Sequence, residues 1–246
     1  DGFRLGGARP DPDVDLVMVG NPTNPTSRLH DPEDIAALAT DSTSPERLVV
    51  VDEAFLDVVE EPAEPAYSLA RRAATDRRLV VIRSLTKTYS IAGLRIGYVV
   101  AHPDVVRRLT RCRSPWPVGT LALAAAEACV SDEGSAHAAA LRAELPGRLR
   151  HLCGGLAARG FEVVAEPRAP FVLARHDRGA ELRAQLRARG IAVRRGDTFP
   201  GLDGGWVRVA ARSTEVTDVL LRALADLADL PGPTSGSHRG QRTPHE

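Results

Sequence analysis

Leu79-Val80-Val81-Ile82-Arg83-Ser84-Leu85-Thr86-Lys87-Thr88-Tyr89-Ser90-Ile91-Ala92-Gly93-Leu94-Arg95-Ile96-Gly97-Tyr98-Val99-Val100-Ala101 decides the fold. Two apolar runs rich in β-branched residues, Leu79–Ile82 and Ile96–Ala101, flank a polar insert carrying hydroxyls, an amine and a guanidinium. Neither run alternates polar with apolar, which is the pattern of strands buried on both faces. The insert also holds Lys87, the only lysine in a chain with 31 arginines. Drift in a GC-biased genome accounts for the arginines but not for the one lysine left. A lysine amine can condense with an aldehyde, and a guanidinium, which stays protonated, cannot.

Two more apolar runs of the same kind precede this stretch, Val14–Gly20 and Leu48–Val51. Helical patterns sit between them. Asp31-Pro32 reads as an N-cap with proline at the first helical position, leading into Glu33–Ala39, and Tyr67–Thr75 reads as a second helix. Strands alternating with helices predict an α/β layered sheet. Beyond His102 the pattern changes to helices over Pro103–Arg113, Gly119–Ser131 and Glu133–Arg159, the last long enough to bridge two lobes. A smaller set follows, with strands near Phe161–Ala165, Phe171–Ala174, Ile191–Arg194 and Trp206–Ala210 and helices at Ala180–Arg189 and Thr214–Leu230. The expected division is a loose segment 1–13, a large lobe 14–132, a small lobe 133–230 and a disordered tail 231–246.

The 246 residues bear 32 basic and 32 acidic side chains, so no global charge favours nucleic acid or a membrane surface. No apolar run approaches the ~20 residues of a membrane span. Cys112, Cys129 and Cys153 are odd in number and widely spaced, which argues against a disulfide framework or a cysteine zinc site and for a reducing, cytoplasmic setting.

Ligands of open α/β sheets bind at the carboxyl ends of the strands. There this chain places Asn21-Pro22-Thr23-Asn24-Pro25-Thr26, Asp52-Glu53 and Ser84-Leu85-Thr86-Lys87. Each has a plain alternative: a turn, a helix cap, a solvated lysine. Together they supply what pyridoxal 5'-phosphate requires, namely an amine for its aldehyde, an acid for its ring nitrogen and hydroxyls for its phosphate.

The segments Asn24-Pro25-Thr26, Val51-Asp52-Glu53-Ala54-Phe55 and Ser84-Leu85-Thr86-Lys87, followed by Gly93-Leu94-Arg95-Ile96-Gly97-Tyr98, resemble the fold-type I pyridoxal-phosphate aminotransferases. The resemblance is to the histidinol-phosphate aminotransferase and threonine-phosphate decarboxylase group, and it runs from about Asp15 to Leu230. Ser114-Pro115-Trp116-Pro117-Val118 and the stretch Arg194–Asp203 look more like the decarboxylase branch, which serves cobalamin synthesis. The resemblance implies the aspartate aminotransferase fold, with part of the large-lobe sheet and a small C-terminal α/β lobe, and a homodimer. It implies that Lys87 holds the cofactor covalently and shuttles protons, that Asp52 pairs with the ring nitrogen, and that Asn24 bonds the phenolic oxygen. Ser84, Thr86 and Arg95 would hold the cofactor phosphate. Arg208 would grip the substrate carboxylate, and Arg194 the substrate's own phosphate.

Departures from the pattern accompany the match. Phe55 stands in the cofactor pocket where many aminotransferases place a tyrosine. Ser27 replaces the glycine that usually closes the Asn-Pro-Thr-Gly turn, and Gly119 an asparagine of the decarboxylases. The family's glycine-rich phosphate loop and first strands, which precede the position of Asp15, have no counterpart here. The leading expectation is decarboxylation of threonine phosphate, with histidinol-phosphate-type transamination second and a catalytically silent fragment third. A nucleotide hydrolase, suggested by the Walker-B-like Leu48–Glu53, lacks its G-x-x-x-x-G-K-[ST] loop.

Overall fold

The computed structural model describes residues 5, 10–41, 43–44, 46–60 and 66–228. Four strands, β1 (Leu16–Gly20), β2 (Leu48–Asp52), β3 (Leu79–Ser84) and β4 (Gly97–Ala101), form one sheet in the order β1-β2-β3-β4. β1, β2 and β3 run parallel and β4 antiparallel to β3. The register sets Gly20 beside Asp52, Asp52 beside Ile82, and Ser84 opposite Gly97. The carboxyl rim of β1–β3 and the start of β4 therefore meet on one edge. A second, antiparallel sheet is formed by β5 (Glu162–Val163), β6 (Phe171–Arg175), β7 (Arg194–Arg195) and β8 (Trp206–Ala210), in the order β5-β6-β8-β7.

Helix α1 (Pro32–Thr40) starts as its sequence requires: the Asp31 carboxylate accepts from the Glu33 N–H at 2.8 Å, and proline opens the helix. It packs Ile35, Ala36 and Leu38 with Val49, Val51, Leu79 and Val81 in the core of the first sheet. Arg47, fully buried, donates at the far end of the helix to the carbonyls of Leu38 (3.2 Å) and Asp41 (3.0 Å), and also to Val14 at 2.7 Å. A buried cation at the carbonyl end of a helix is stabilised by the helix dipole as well as by these bonds. α2 (Ala70–Ala73) and the single turn α3 (Leu85–Thr88) flank β3. α4 (Pro103–Arg111), α5 (Thr120–Cys129) and the 26-residue α6 (Asp132–Ala157) lead to the second sheet. There α6, α7 (Gly179–Ala188) and α8 (Thr214–Ala228) bury Leu152, Leu156, Leu182, Leu186, Leu224 and Leu227 against Val172, Val207 and Val209. No helix of the described residues is long and apolar enough to cross a membrane.

Three sequence expectations need correction. The apolar runs of β1 and β4 are not buried on both faces: Leu16, Met18, Tyr98 and Val99 are exposed, because these are the edge strands among the described residues. The helix expected over Tyr67–Thr75 is broken in two: Tyr67 is helical, Ser68 and Leu69 are not, and the helix resumes only over Ala70–Ala73. Ser68 halts it by spending its hydroxyl on Glu53 (2.9 Å) and on the Ala70 N–H (3.1 Å). The strand expected over Ile191–Arg194 is displaced to Arg194–Arg195. Gly190, at φ +76°, and the Ile191 N–H, bonded to the Leu186 carbonyl at 2.9 Å, are used in ending α7. The tail 231–246 lies outside the described residues, as does most of 1–9.

One buried network fixes the rim. Glu53 follows Asp52 and Arg83 precedes Ser84, and both side chains are almost fully buried. Glu53 Oε2 accepts from Arg83 Nε (2.8 Å) and Ser68 Oγ (2.9 Å), and Oε1 from the Leu69 N–H (2.7 Å). Arg83 also donates to Ser68 Oγ at 2.9 Å and to the Asp57 carboxylate. Burial pushes the Glu53 carboxyl up from its ordinary value, against the opposing pull of Arg83 and the N–H and hydroxyl donors. Losing one member strands the other, so Arg83→Met is expected to cost about 3–5 kcal/mol of unfolding free energy in urea. The double variant Arg83→Met/Glu53→Leu is expected to recover most of that loss. A small cost for the single variant would mean that the pair is not the clamp described.

Candidate functional site

The rim residues come from ends of elements, where backbone direction is fixed and side chains reach solvent. Asp52, the last residue of β2, is exposed and, among the described residues, engages only one oxygen, which accepts from the Ala54 N–H at 3.0 Å. Ser84 ends β3, and its hydroxyl lies 2.7 Å from that of Thr86. Thr86 is buried, so the pair presents two hydroxyls at the start of α3. Lys87 lies on the same turn and is exposed, its ammonium 5.5 Å from the centre of the Phe55 ring. α3 is held from below by Leu85, which joins Ile96, Ala122 and Cys129 in a small core.

Arg95 adopts a left-handed conformation (φ 51°) between a 3-10 turn at Ala92–Leu94 and β4. Its exposed guanidinium donates through Nη1 to the Ala92 carbonyl at 2.9 Å. Two residues on, Gly97 lies so close to β3 that a Cβ there would meet the Arg83 carbonyl oxygen at 2.4 Å. A side chain at 97 would force β4, and Arg95 with it, away from Ser84.

The Asn-Pro turn is built on Asn21, which is fully buried. Its backbone N–H donates to the Asp52 carbonyl (2.9 Å), its Oδ1 accepts from the His30 N–H (2.9 Å), and its Nδ2 donates to the Tyr67 carbonyl (3.2 Å). The turn is thereby tied to the end of β2, and Asn24 stands exposed beyond it. Both Asn-Pro bonds, 21–22 and 24–25, are cis.

Arg208 reaches the rim from the second sheet. Its Nη1 donates to Asn24 Oδ1, and its guanidinium carbon lies 4.9 Å from the centre of the Phe171 ring. Phe171 in turn meets Phe55 edge-to-face, with centroids 5.0 Å apart. Lys87, Phe55, Phe171 and Arg208 thus form a column that spans both sheets. Arg194 is the register partner of Arg208 across β7 and β8. Burial first, and then the charge of Arg194, lower the Arg208 pKa from its ordinary value. Among the described residues neither guanidinium has a carboxylate within salt-bridge distance. Two neighbouring cations without a counterion make a place for an anion.

Of the residues singled out from the sequence, Lys87, Phe55, Asn24 and Arg208 are linked by contact, and Ser84 with Thr86 forms its own pair. Arg194 lies beside Arg208, but its ring contact is Phe199, at 5.7 Å. Gly119 is the N-cap of α5, and a Cβ added there would meet nothing within 4 Å. Sequence reasoning placed Asn21 and Glu53 at the rim without a role for either, and did not single out Arg83 or Phe171 as parts of the site. Glu53 and Arg83 did carry a signal, a charged residue adjoining a rim residue on each of two neighbouring strands.

Aminotransferase class I and II is the family whose description matches residues 7–224. A histidinol-phosphate aminotransferase of Mycobacterium tuberculosis is 47% identical over 230 residues, covering 94% of this chain and 60% of the relative. The chain thus spans about 60% of the length of the curated relative it matches. Among solved structures, the histidinol-phosphate aminotransferase from Clostridium acetobutylicum superposes with a TM-score of 0.79 at 27% identity, covering 87% of this chain and 64% of that one. The L-threonine-O-3-phosphate decarboxylase from Porphyromonas gingivalis gives 0.74 at 27% identity, over 90% and 66%.

His30 braces the Asn-Pro turn, its Nε2 2.7 Å from Thr23 Oγ1, and burial, with Arg28 nearby, lowers its pKa from 6.5. As pH falls, the unfolded chain takes up this proton first. The contribution of His30 is therefore full above pH 6.5 and lost as pH falls through the folded value. In urea melts, the stability advantage of the native chain over His30→Gln is expected to shrink from about pH 7.5 to about pH 5. A constant gap would show that His30 does not titrate in this way.

Proposed function

The chain belongs to the class I and II aminotransferase family, whose members use pyridoxal phosphate, and on that premise we propose that it acts on a small phosphorylated amino acid. The leading substrate is L-threonine O-3-phosphate, which the enzyme would decarboxylate. The observation that carries this reading is the Arg194–Arg208 pair. A substrate with both a carboxylate and a phosphate on a short carbon frame needs two cationic groups side by side, and the pair offers them next to Asn24 and Phe55. Transamination of histidinol phosphate is the second reading, favoured by the 47% identity to the mycobacterial relative that bears that name.

The side chains present suit the cofactor. Among the described residues, Asp52 keeps one carboxylate oxygen without a partner, the Ser84 and Thr86 hydroxyls converge, and Arg95 has donors left over after its bond to Ala92. Asp52 would hold the ring nitrogen, Asn24 the phenolic oxygen, and Ser84, Thr86 and Arg95 the phosphate. Phe55 offers a ring face but no donor. When bound, the cofactor supplies an electron sink for the carbanion left at the substrate Cα. Lys87 would anchor it and move the proton at Cα, a task open to an amine and closed to a guanidinium. Arg208 would orient the carboxylate, and the apolar edge of Phe171 would exclude water from that side. In this reading residues 14–132 belong to the large lobe and 133–230 to the small one. A dimer is part of the proposal.

The full-length protein is expected to show the visible absorbance of a lysine-bound pyridoxal. Lys87→Ala and Lys87→Arg should both lack it, the second despite keeping the charge. No band with Lys87 intact would refute the cofactor assignment. Release of carbon dioxide from threonine phosphate would favour the first reading, and oxo-acid amination coupled to histidinol phosphate the second.

A further inference from the structure

One residue of the Asn-Pro turn does more than close it. Ser27 adopts φ +64°, a left-handed conformation that favours glycine and costs a side-chain-bearing residue about 1 kcal/mol or more. It is also fully buried. Its hydroxyl accepts from the Ala169 N–H at 2.7 Å and donates to the Ala169 carbonyl at 3.1 Å, while its own carbonyl accepts from the Arg168 N–H at 2.8 Å. The turn on the first sheet is thus bonded three times to the segment that leads into β6. Pro170 continues the connection, its carbonyl accepting from Ala211 at 3.0 Å just past the end of β8.

These bonds close a ring of contacts. Two residues beyond Ala169 is Phe171, whose ring touches Arg208. Arg208 donates to Asn24, and Asn24 lies three residues before Ser27. A glycine at 27 would fit the backbone without strain but would leave the Ala169 N–H and carbonyl without these bonds. The strained conformation is kept together with the hydroxyl that needs it.

We propose that Ser27 is a positioning residue: by clamping Ala169 it sets the second sheet against the Asn-Pro turn, so that Arg208 and Arg194 are held ready for an anionic substrate. The inference rests on the anion site of the proposed function, but not on the identity of the cofactor or of the reaction. Ser27 touches neither cofactor nor substrate. It acts through the strand that carries Arg208.

The test compares the native chain with Ser27→Gly, which relieves the backbone strain, and with Ser27→Ala, which keeps the strain and loses the hydroxyl. Three measurements are made on the full-length protein: inorganic phosphate binding by calorimetry, amide exchange at Arg168 and Ala169, and urea stability. For Ser27→Gly the expected result is stability close to native, faster exchange at both amides, and phosphate binding about tenfold weaker, the size of one or two lost hydrogen bonds. Ser27→Ala should weaken binding equally and be the less stable of the two. With substrate, KM should rise by a similar factor while kcat changes little. Native affinity in Ser27→Gly despite faster exchange would reduce Ser27 to a packing residue and overturn the proposal, and unchanged exchange would deny the clamp itself. A native chain that does not bind phosphate would remove the anion site and the proposal with it. A chain that binds phosphate but shows no pyridoxal band would count against the cofactor reading alone.

Discussion

Arg83 sets the geometry of the rim because a guanidinium with almost no access to water must satisfy its donors where it stands. Its partners, Glu53, Ser68 and Asp57, lie just past the end of β2, beside α2 and in the turn that follows β2. Moving any one of them would leave a desolvated charge without compensation. The strand ends that carry Asp52 and Ser84 are therefore held in one arrangement by side chains that point the other way, into the protein. Arg47 uses the same chemistry with backbone carbonyls, joining the end of α1 to the start of the sheet. A planar fork with five donors can do this and an ammonium with three cannot reach the same set. Arginine abundance is in this respect structural as well as compositional.

The two sheets meet through few groups of high consequence. Phe55 and Phe171 bring ring edges and faces together between Lys87 on one side and Arg208 on the other. Aromatic rings suit this position because they separate two cations with a surface that attracts both. The arrangement keeps the Lys87 ammonium and the Arg208 guanidinium apart while aligning them. The Arg208–Asn24 bond joins the same two sheets by a polar route.

What the sequence disclosed and what it hid divide along a physical line. The apolar runs of β1–β4, the Asp31-Pro32 cap and the hydroxyls around Lys87 were legible, because each depends on neighbours in the chain. The antiparallel direction of β4, the exposure of Met18 and Tyr98, and the Glu53–Arg83 pair were not. They depend on partners that only the folded chain supplies. Ser27 was legible as a departure from a glycine pattern, but its meaning lay in Ala169, distant in sequence. The short strand at Arg194–Arg195 was blurred for a local reason: the residues before it were already needed to end α7.

The reversal of β4 has a further consequence, in the order of assembly. β3 and β4 are joined by residues 85–96 alone, whereas β1 and β2 are separated by 21–47. Loop-closure entropy rises with the length of chain enclosed, so the pairing that joins Ser84 to Gly97 is the least costly in this sheet. The amine, the Thr86 hydroxyl and Arg95 lie within that short excursion, and Ser84 stands at its entrance. The part of the rim with the most chemistry is thus also the part that depends least on long-range contacts to find its register.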